Sequence, residues 1–213
     1  RKLLELQQGK FSPTPILLGT NRDESGMFLV IDYPELLESY SAVDNAELTE
    51  YLTNWFSYFP RFPTQCDIAT LAAILYRYTN WNNVEDKLAN VRSLVRAASE
   101  VEYICPTEAL ATAYARSSPS PVVYRYEFSH EAALRDGWPS WLGGAIHASE
   151  IPYVFGAPLR RFSSYTVAEK ILSAKMIRYW TNFARYNDPN GRKGPIMNFF
   201  WPLQTLDTWP QYK

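Results

Sequence analysis

Pro15-Ile16-Leu17-Leu18-Gly19-Thr20-Asn21-Arg22-Asp23-Glu24-Ser25-Gly26-Met27-Phe28-Leu29 is the stretch on which the fold turns. Pro13 and Pro15 forbid a helix. The short apolar run Ile16-Leu17-Leu18 that follows reads as a buried strand, and Gly19 to Gly26 as a polar loop after it. In open α/β sheets, functional groups sit on loops beyond the carboxyl ends of strands. Glu24 stands at such a place. Asp23 adjoins it, and on residue chemistry either carboxylate can orient a histidine.

Outward from this stretch the chain alternates in kind. Arg1 to Gly9 has helical character, with Leu3, Leu4 and Leu6 on one side. Residues 35 to 115 read as mostly helical, broken at Tyr58-Phe-Pro-Arg-Phe-Pro63. Within them Val84, Leu88, Val91, Leu94 and Val95 fall close to helical spacing. Tyr78-Thr-Asn-Trp81 reads as a packing feature, since aromatic rings carry large buried area. Val122 to Phe128 alternates and is rich in strand formers. Thr166-Val-Ala-Glu169 is a capping box that opens a helix to about Tyr186, with Val167, Ile171, Ala174, Ile177, Trp180 and Ala184 as its apolar stripe. Asn187-Asp-Pro-Asn-Gly191 ends it. This order of strands and helices suits an α/β fold.

Composition narrows the function classes. A chain of 213 residues, 46% hydrophobic and 15% aromatic, is globular and large enough for one sizeable core. The net charge of −1 leaves no basic footprint for nucleic acid and no polybasic surface for anionic lipid. No apolar run approaches the roughly 20 residues of a membrane span. No signal-peptide pattern stands at Arg1-Lys-Leu-Leu4, and the chain reads as an internal piece of a longer protein. There is no Asn-x-Ser/Thr sequon. Two cysteines, Cys66 and Cys105, do not fix a redox compartment.

The second informative stretch runs from Trp138 to Leu159, around Gly143-Gly144-Ala-Ile-His147-Ala-Ser-Glu150. Two glycines let the backbone bend and approach a ligand closely. Histidine has the resting pKa best suited to proton transfer near neutral pH. On residue chemistry alone, His147 is either a base or a structural histidine in a turn between buried segments. His130 lies in a more polar setting and reads as a surface residue, and the cysteines read as structural.

The two stretches together resemble the cholinesterase-type carboxylesterases, the type-B branch of the α/β-hydrolase fold. That family carries I-L-L-G followed by N-K-D-E-G, with Glu as the acid of a catalytic triad. The match here is Leu17-Leu18-Gly19-Thr20-Asn21-Arg22-Asp23-Glu24. Its histidine pattern, W-x-G-x-x-H-x-x-E-I-x-x-x-F-G-x-P-L, is met by Trp141, Gly143, His147, Glu150, Ile151, Phe155, Gly156, Pro158 and Leu159, with one extra residue between Gly143 and His147. Trp201-Pro202 resembles the family's closing W-P, and Tyr78 to Trp81 its Y-T-D-W. The resemblance implies a central, mostly parallel sheet flanked by helices, of which residues 1–213 form the C-terminal portion of a single domain. It implies a serine carboxylic-ester hydrolase that is secreted and uses no metal or organic cofactor. Glu24 is then the triad acid and His147 the base.

No Gly-x-Ser-x-Gly elbow and no oxyanion-hole glycine cluster occur in the chain. The resemblance places both upstream, so the expected partner is a companion N-terminal fragment with the nucleophilic serine, acting on a small-molecule ester. The alternative is an inactive family member used for adhesion or binding. Met27 and Phe28 fall where cholinesterases carry pocket aromatics, and Ser149 falls where they carry Tyr. Aromatic faces favour quaternary ammonium, so Met27 and Ser149 favour a broad carboxylesterase. Glu150 is either a buried carboxylate near the triad, as the resemblance implies, or a plain charge at a helix N-terminus. In the family the cysteine of I-C-P pairs nearer the C-terminus; here Cys105 is left to pair with Cys66, to pair with another chain, or to stay free.

Overall fold

The computed structural model describes residues 5, 8, 11–37, 43–58, 67–117, 121–132, 139–142, 144–161, 164–191 and 206–213. Strand β1 (Ile16–Asn21) leads into α1 (Gly26–Asp32) and a 3-10 turn at Pro34–Leu37. Helices α2 (Asn45–Tyr58), α3 (Ile68–Tyr78) and α4 (Lys87–Ser99) follow. One π-helical turn (Glu100–Ile104) joins α4 to α5 (Cys105–Ala115). Strand β2 (Val123–Phe128), the short helices α6 (Ile151–Val154) and α7 (Ala157–Arg160), and the long α8 (Val167–Tyr186) complete the order.

β1 and β2 are parallel neighbours, in register from Ile16 against Val123 to Asn21 against Phe128. Parallel strands need a long crossover, and α1 to α5 supply it. Gly19 faces Tyr126 in this register; a Cβ there would stand 2.3 Å from the Tyr126 ring. The ring occupies the space that glycine leaves. The final described segment straps the other edge of β2: Tyr212 N–H donates to Val123 O at 2.9 Å and Trp209 Nε1–H to Arg125 O at 3.1 Å. The molecule is helix-rich with a small parallel sheet, consistent with an α/β-hydrolase fold.

The main core gathers Leu29, Leu52, Trp55, Val91, Leu94 and Trp141 from α1, α2, α4 and the turn at Ser140–Leu142. A second cluster, Phe128, Ala145, Tyr153 and Met176, sits between β2, the His147 loop, α6 and α8. The second cluster takes in Phe128 at the end of β2 and Ala145 of the His147 loop, and Ile146 of that loop packs against the first.

Several expectations are corrected. Ile16, Leu17 and Leu18 are half-buried and only Thr20 and Asn21 of β1 are buried, because the main core lies beyond the strand's carboxyl end. β1 runs through Asn21, so the polar loop is shorter than expected. The helical stripe starts late: Asp86 caps α4 by accepting from Ala89 N–H, so Val84 precedes the helix and Leu88 is exposed, while Val91, Leu94 and Val95 are buried. On α8 the capping box and the end near Tyr186 stand as read, with Asn187 left-handed at the terminus. Its buried face is Glu169, Lys170, Ser173 and Met176, however, with Val167 exposed. Polar groups bury there because each is partnered: Glu169 takes hydrogen bonds from Thr166 and from the Tyr153 hydroxyl, and Ser173 Oγ–H donates to Tyr153 O at 2.7 Å. His130 is not a plain surface residue. Its Nε2 lies 3.4 Å from Glu169 Oε1 and its ring packs against Phe128 and Tyr153. The readings at Arg1–Gly9, Phe59–Pro63, Cys66, Gly143 and Trp201-Pro202 lie on residues outside those described, Glu5 and Gln8 apart.

Candidate active site

The end of β1 and the loop after β2 are stitched together by backbone. Asp23 N–H donates to Ala145 O at 2.9 Å, and Asp23 and Ile146 form a parallel bridge. The next residue on each side then meets its opposite: His147 Nδ1 lies 2.7 Å from Glu24 Oε2, across 123 positions of sequence. Glu24 is 6% exposed, and its other oxygen accepts from Asn21 N–H at 2.8 Å. The His147 side chain keeps 40% of its surface open. An ionised carboxylate only accepts, so Nδ1 carries a proton, and in the neutral imidazole Nε2 presents a lone pair. Such a pair can act as an oriented base, with one nitrogen committed and one available.

The choice between Asp23 and Glu24 is settled by geometry. Asp23 Oδ2 takes Nε–H and Nη2–H of Arg22 at 3.0 and 2.9 Å, and Arg22 also reaches Glu131 at 2.9 Å. The Asp23 carboxylate, first, with Glu131 behind it, outweighs burial and holds the Arg22 guanidinium above its ordinary range. Glu24 is the carboxylate that meets the histidine.

The turn carrying His147 is strained at an unexpected place. Gly144 has ordinary backbone angles; its missing Cβ would collide with Glu131 Cα at 2.2 Å, so it serves close approach. The left-handed residue is Ala148, with φ of 67°. A non-glycine residue in that region persists only where its surroundings hold it. Glu150, the N-cap of α6, makes no side-chain cap bond to its helix. Its Oε2 accepts instead from Asn21 Nδ2–H at 2.7 Å. Of the two readings, the structure places Glu150 beside the Glu24 loop; it is half-buried, not buried, because the carboxylate sits at the lip of the turn.

Aromatic rings flank the imidazole. Phe28, in the first turn of α1, lies 5.2 Å from the His147 ring, and Tyr103, in the π-helical turn, lies 5.5 Å away. Phe28 and Tyr103 stack 6.3 Å apart at 10°. Met27 and Ser149 are half-buried on the segments bearing Phe28 and His147. Tyr103 was missed from sequence; its only signal was its place just before Ile104-Cys105-Pro106. The π turn also presents Glu102, which accepts from Ser25 Oγ–H at 2.5 Å, while Ser25 N–H donates to Ser99 Oγ at 3.0 Å. Glu24 is thus anchored from both neighbours. Burial, then the charges of Glu150 and Glu24, push the Tyr126 phenol up to about 12, so it is neutral beneath the two carboxylates.

The remaining candidates lie apart. Cys105 is a free, exposed thiol at the start of α5, which corrects its structural reading. Burial, with Glu100 and Glu108, raises its pKa, so it is no activated thiolate. A cavity of about 670 Å³ is lined by Arg22, Asp23, Arg92, Glu100 and Glu127 among others; neither Glu24 nor His147 lines it. Among the described residues no cluster of His, Cys, Asp and Glu has the makings of a metal site, and no helix is long and apolar enough to cross a membrane.

The sequence pattern of the carboxylesterase family matches residues 2–213. The chain is 35% identical over 211 residues to acetylcholinesterase of Bungarus fasciatus, covering 97% of this chain and 32% of that protein. It is 32% identical over 225 residues to acetylcholinesterase 1 of Caenorhabditis elegans, with 97% and 32% covered. It is 31% identical over 201 residues to cholinesterase of Mus musculus, with 94% and 31% covered. The chain therefore spans about a third of the length of these curated relatives.

Proposed function

Because the chain belongs to the carboxylesterase family, we propose that residues 1–213 are the C-terminal portion of an α/β-hydrolase domain and supply the acid and base of a Ser-His-Glu triad. The observation that carries this reading is the 2.7 Å contact between His147 Nδ1 and buried Glu24. The serine and the oxyanion donors belong to an N-terminal segment outside these residues. His147 Nε2 takes the serine proton as the hydroxyl oxygen attacks the ester carbonyl. It returns that proton to the departing alkoxide, and an acyl-enzyme forms. Water then enters, His147 takes its proton, and the carboxylic acid leaves with serine restored. Glu24 holds the imidazole tautomer and stabilises the imidazolium in both halves.

The substrate is a small carboxylic ester bound against Phe28, with Met27 and Ser149 on its borders. Met27 is flexible and suits varied apolar groups. With Met27 and Ser149 in place of aromatics, the site favours broad ester hydrolysis over recognition of a quaternary ammonium. Glu150 supports the triad from the His147 turn. By the same family reading the protein is secreted.

The test is His147→Ala in the full-length protein carrying this chain, assayed on short aryl esters. Turnover should fall by roughly 10³-fold or more while the circular dichroism spectrum is retained. Undiminished hydrolysis in a folded His147→Ala protein would overturn the assignment.

A further inference from the structure

Asn21 bonds both Glu24 and the turn that carries His147. It is the last residue of β1 and 1% exposed. Its backbone N–H donates to Glu24 Oε1 at 2.8 Å, which turns the second oxygen toward His147. Its carboxamide donates one N–H to Ile146 O at 2.8 Å and the other to Glu150 Oε2 at 2.7 Å. Both partners are acceptors, so the amide can only be oriented with its nitrogen toward them. Ile146 and Glu150 stand two residues before and two after Ala148, the left-handed residue of the turn. One side chain therefore spans the strained segment and ties both its ends to the strand that delivers Glu24. The cost is visible, since Asn21 Oδ1 is buried with no donor among the described residues.

We propose that Asn21 is a positioning residue, whose carboxamide clamps the Ile146–Glu150 turn so that His147 Nδ1 meets Glu24; this rests on the hydrolase reading above. An aliphatic side chain at position 21 leaves the Asp23–Ile146 bridge intact but frees the turn to relax around Ala148. The imidazole then loses its fixed distance to the carboxylate. Misplacement of a reacting group by about 1 Å costs on the order of 10²-fold in rate.

The experiment uses the full-length protein with Asn21→Ala and Asn21→Leu, normalised to active sites titrated with a fluorophosphonate ester. The expected result is a fall in kcat of roughly 10- to 100-fold with KM within about threefold. Asn21→Asp, of the same size but without the donors, should be as impaired as Asn21→Ala at neutral pH. A kcat per titrated site within twofold of wild type overturns the proposal. So does a loss wholly accounted for by unfolded protein. The hydrolase reading fails separately, as a wild type without turnover. In that case the downfield proton signal of His147 Nδ1 decides: its persistence unchanged in Asn21→Ala overturns the clamp, and its loss supports it.

Discussion

At the scale of single residues, Glu24→Gln is the sharpest substitution. It keeps the side-chain length and an oxygen able to accept from His147 Nδ1, but removes the charge that stabilises the imidazolium. Ester turnover should fall by about 10²- to 10⁴-fold with binding little changed, read as kcat against KM. Asp23→Asn is its control, because that carboxylate is taken up by Arg22 at 2.9 Å. Turnover within about threefold of wild type is the expected outcome, in keeping with the small worth of a part-exposed ion pair. Equal losses in the two variants would contradict the assignment of roles. On residue chemistry alone nothing in Asp23-Glu24 separates the two; the family pattern points to Glu24, and the Arg22 fork and the Asp23–Ile146 bridge give a physical reason. Glu24 and His147 stand in long patterns and Phe28 is found by counting from Glu24, so all three were legible in the sequence. Asn21 and Tyr103 were not, since their parts are played through partners 125 and 44 positions away.

At the scale of elements, polar contacts decide more than apolar periodicity suggests. The capping box of α8 was legible because its two residues are local and bond each other. The buried face was not, because Glu169 and Ser173 bury against Tyr153 on a separate element. Thr166→Ala should cost about 1 kcal/mol, the usual loss of a helix cap. Glu169→Ala leaves the Thr166 Oγ cap on the residue 169 N–H but removes the reciprocal bond from Thr166 N–H and strands the Tyr153 hydroxyl, so it should cost more, with about 1–3 kcal/mol for the unsatisfied buried group alone. Urea unfolding of both variants checks the order; equal losses would mean the Tyr153 contact contributes nothing. Strand positions were easier to read than strand burial. β1 and β2 declare themselves by composition, but their register depends on Gly19 making room for Tyr126. Gly19→Ala should destabilise by about 1–3 kcal/mol, as overpacking does, and differential scanning calorimetry reads it.

At the scale of the molecule, pH reports how the tyrosines are held. Burial, and then Glu35, push the Tyr51 phenol up to about 12, and burial first pushes Tyr126 to a similar value. Tyr78, buried and bonded to Glu100, and Tyr153, buried beside Glu169, move further in the same direction. Each folded pKa lies above the unfolded one, near 10. The folded state thus binds more protons between pH 10 and about 12, and stability present below pH 10 is lost as pH rises through that window. Tyrosinate absorbance should therefore climb late and together with loss of helical ellipticity. A simple rise centred near pH 10 with the helices intact would contradict this packing. The α/β character of the whole was legible from strand and helix order. The extent of the sheet was not, because the chain spans about a third of its curated relatives.

If Glu24 and His147 complete a serine hydrolase site, its nucleophile is a serine outside residues 1–213. Labelling the full-length protein with a fluorophosphonate ester, followed by mass spectrometry of every peptide, tests it most directly. The account predicts one adduct, on a serine outside residues 1–213, that fails to form in the His147→Ala protein. Well-folded protein without an adduct would contradict it and point to binding or adhesion without turnover; so would an adduct that forms undiminished when His147 is gone.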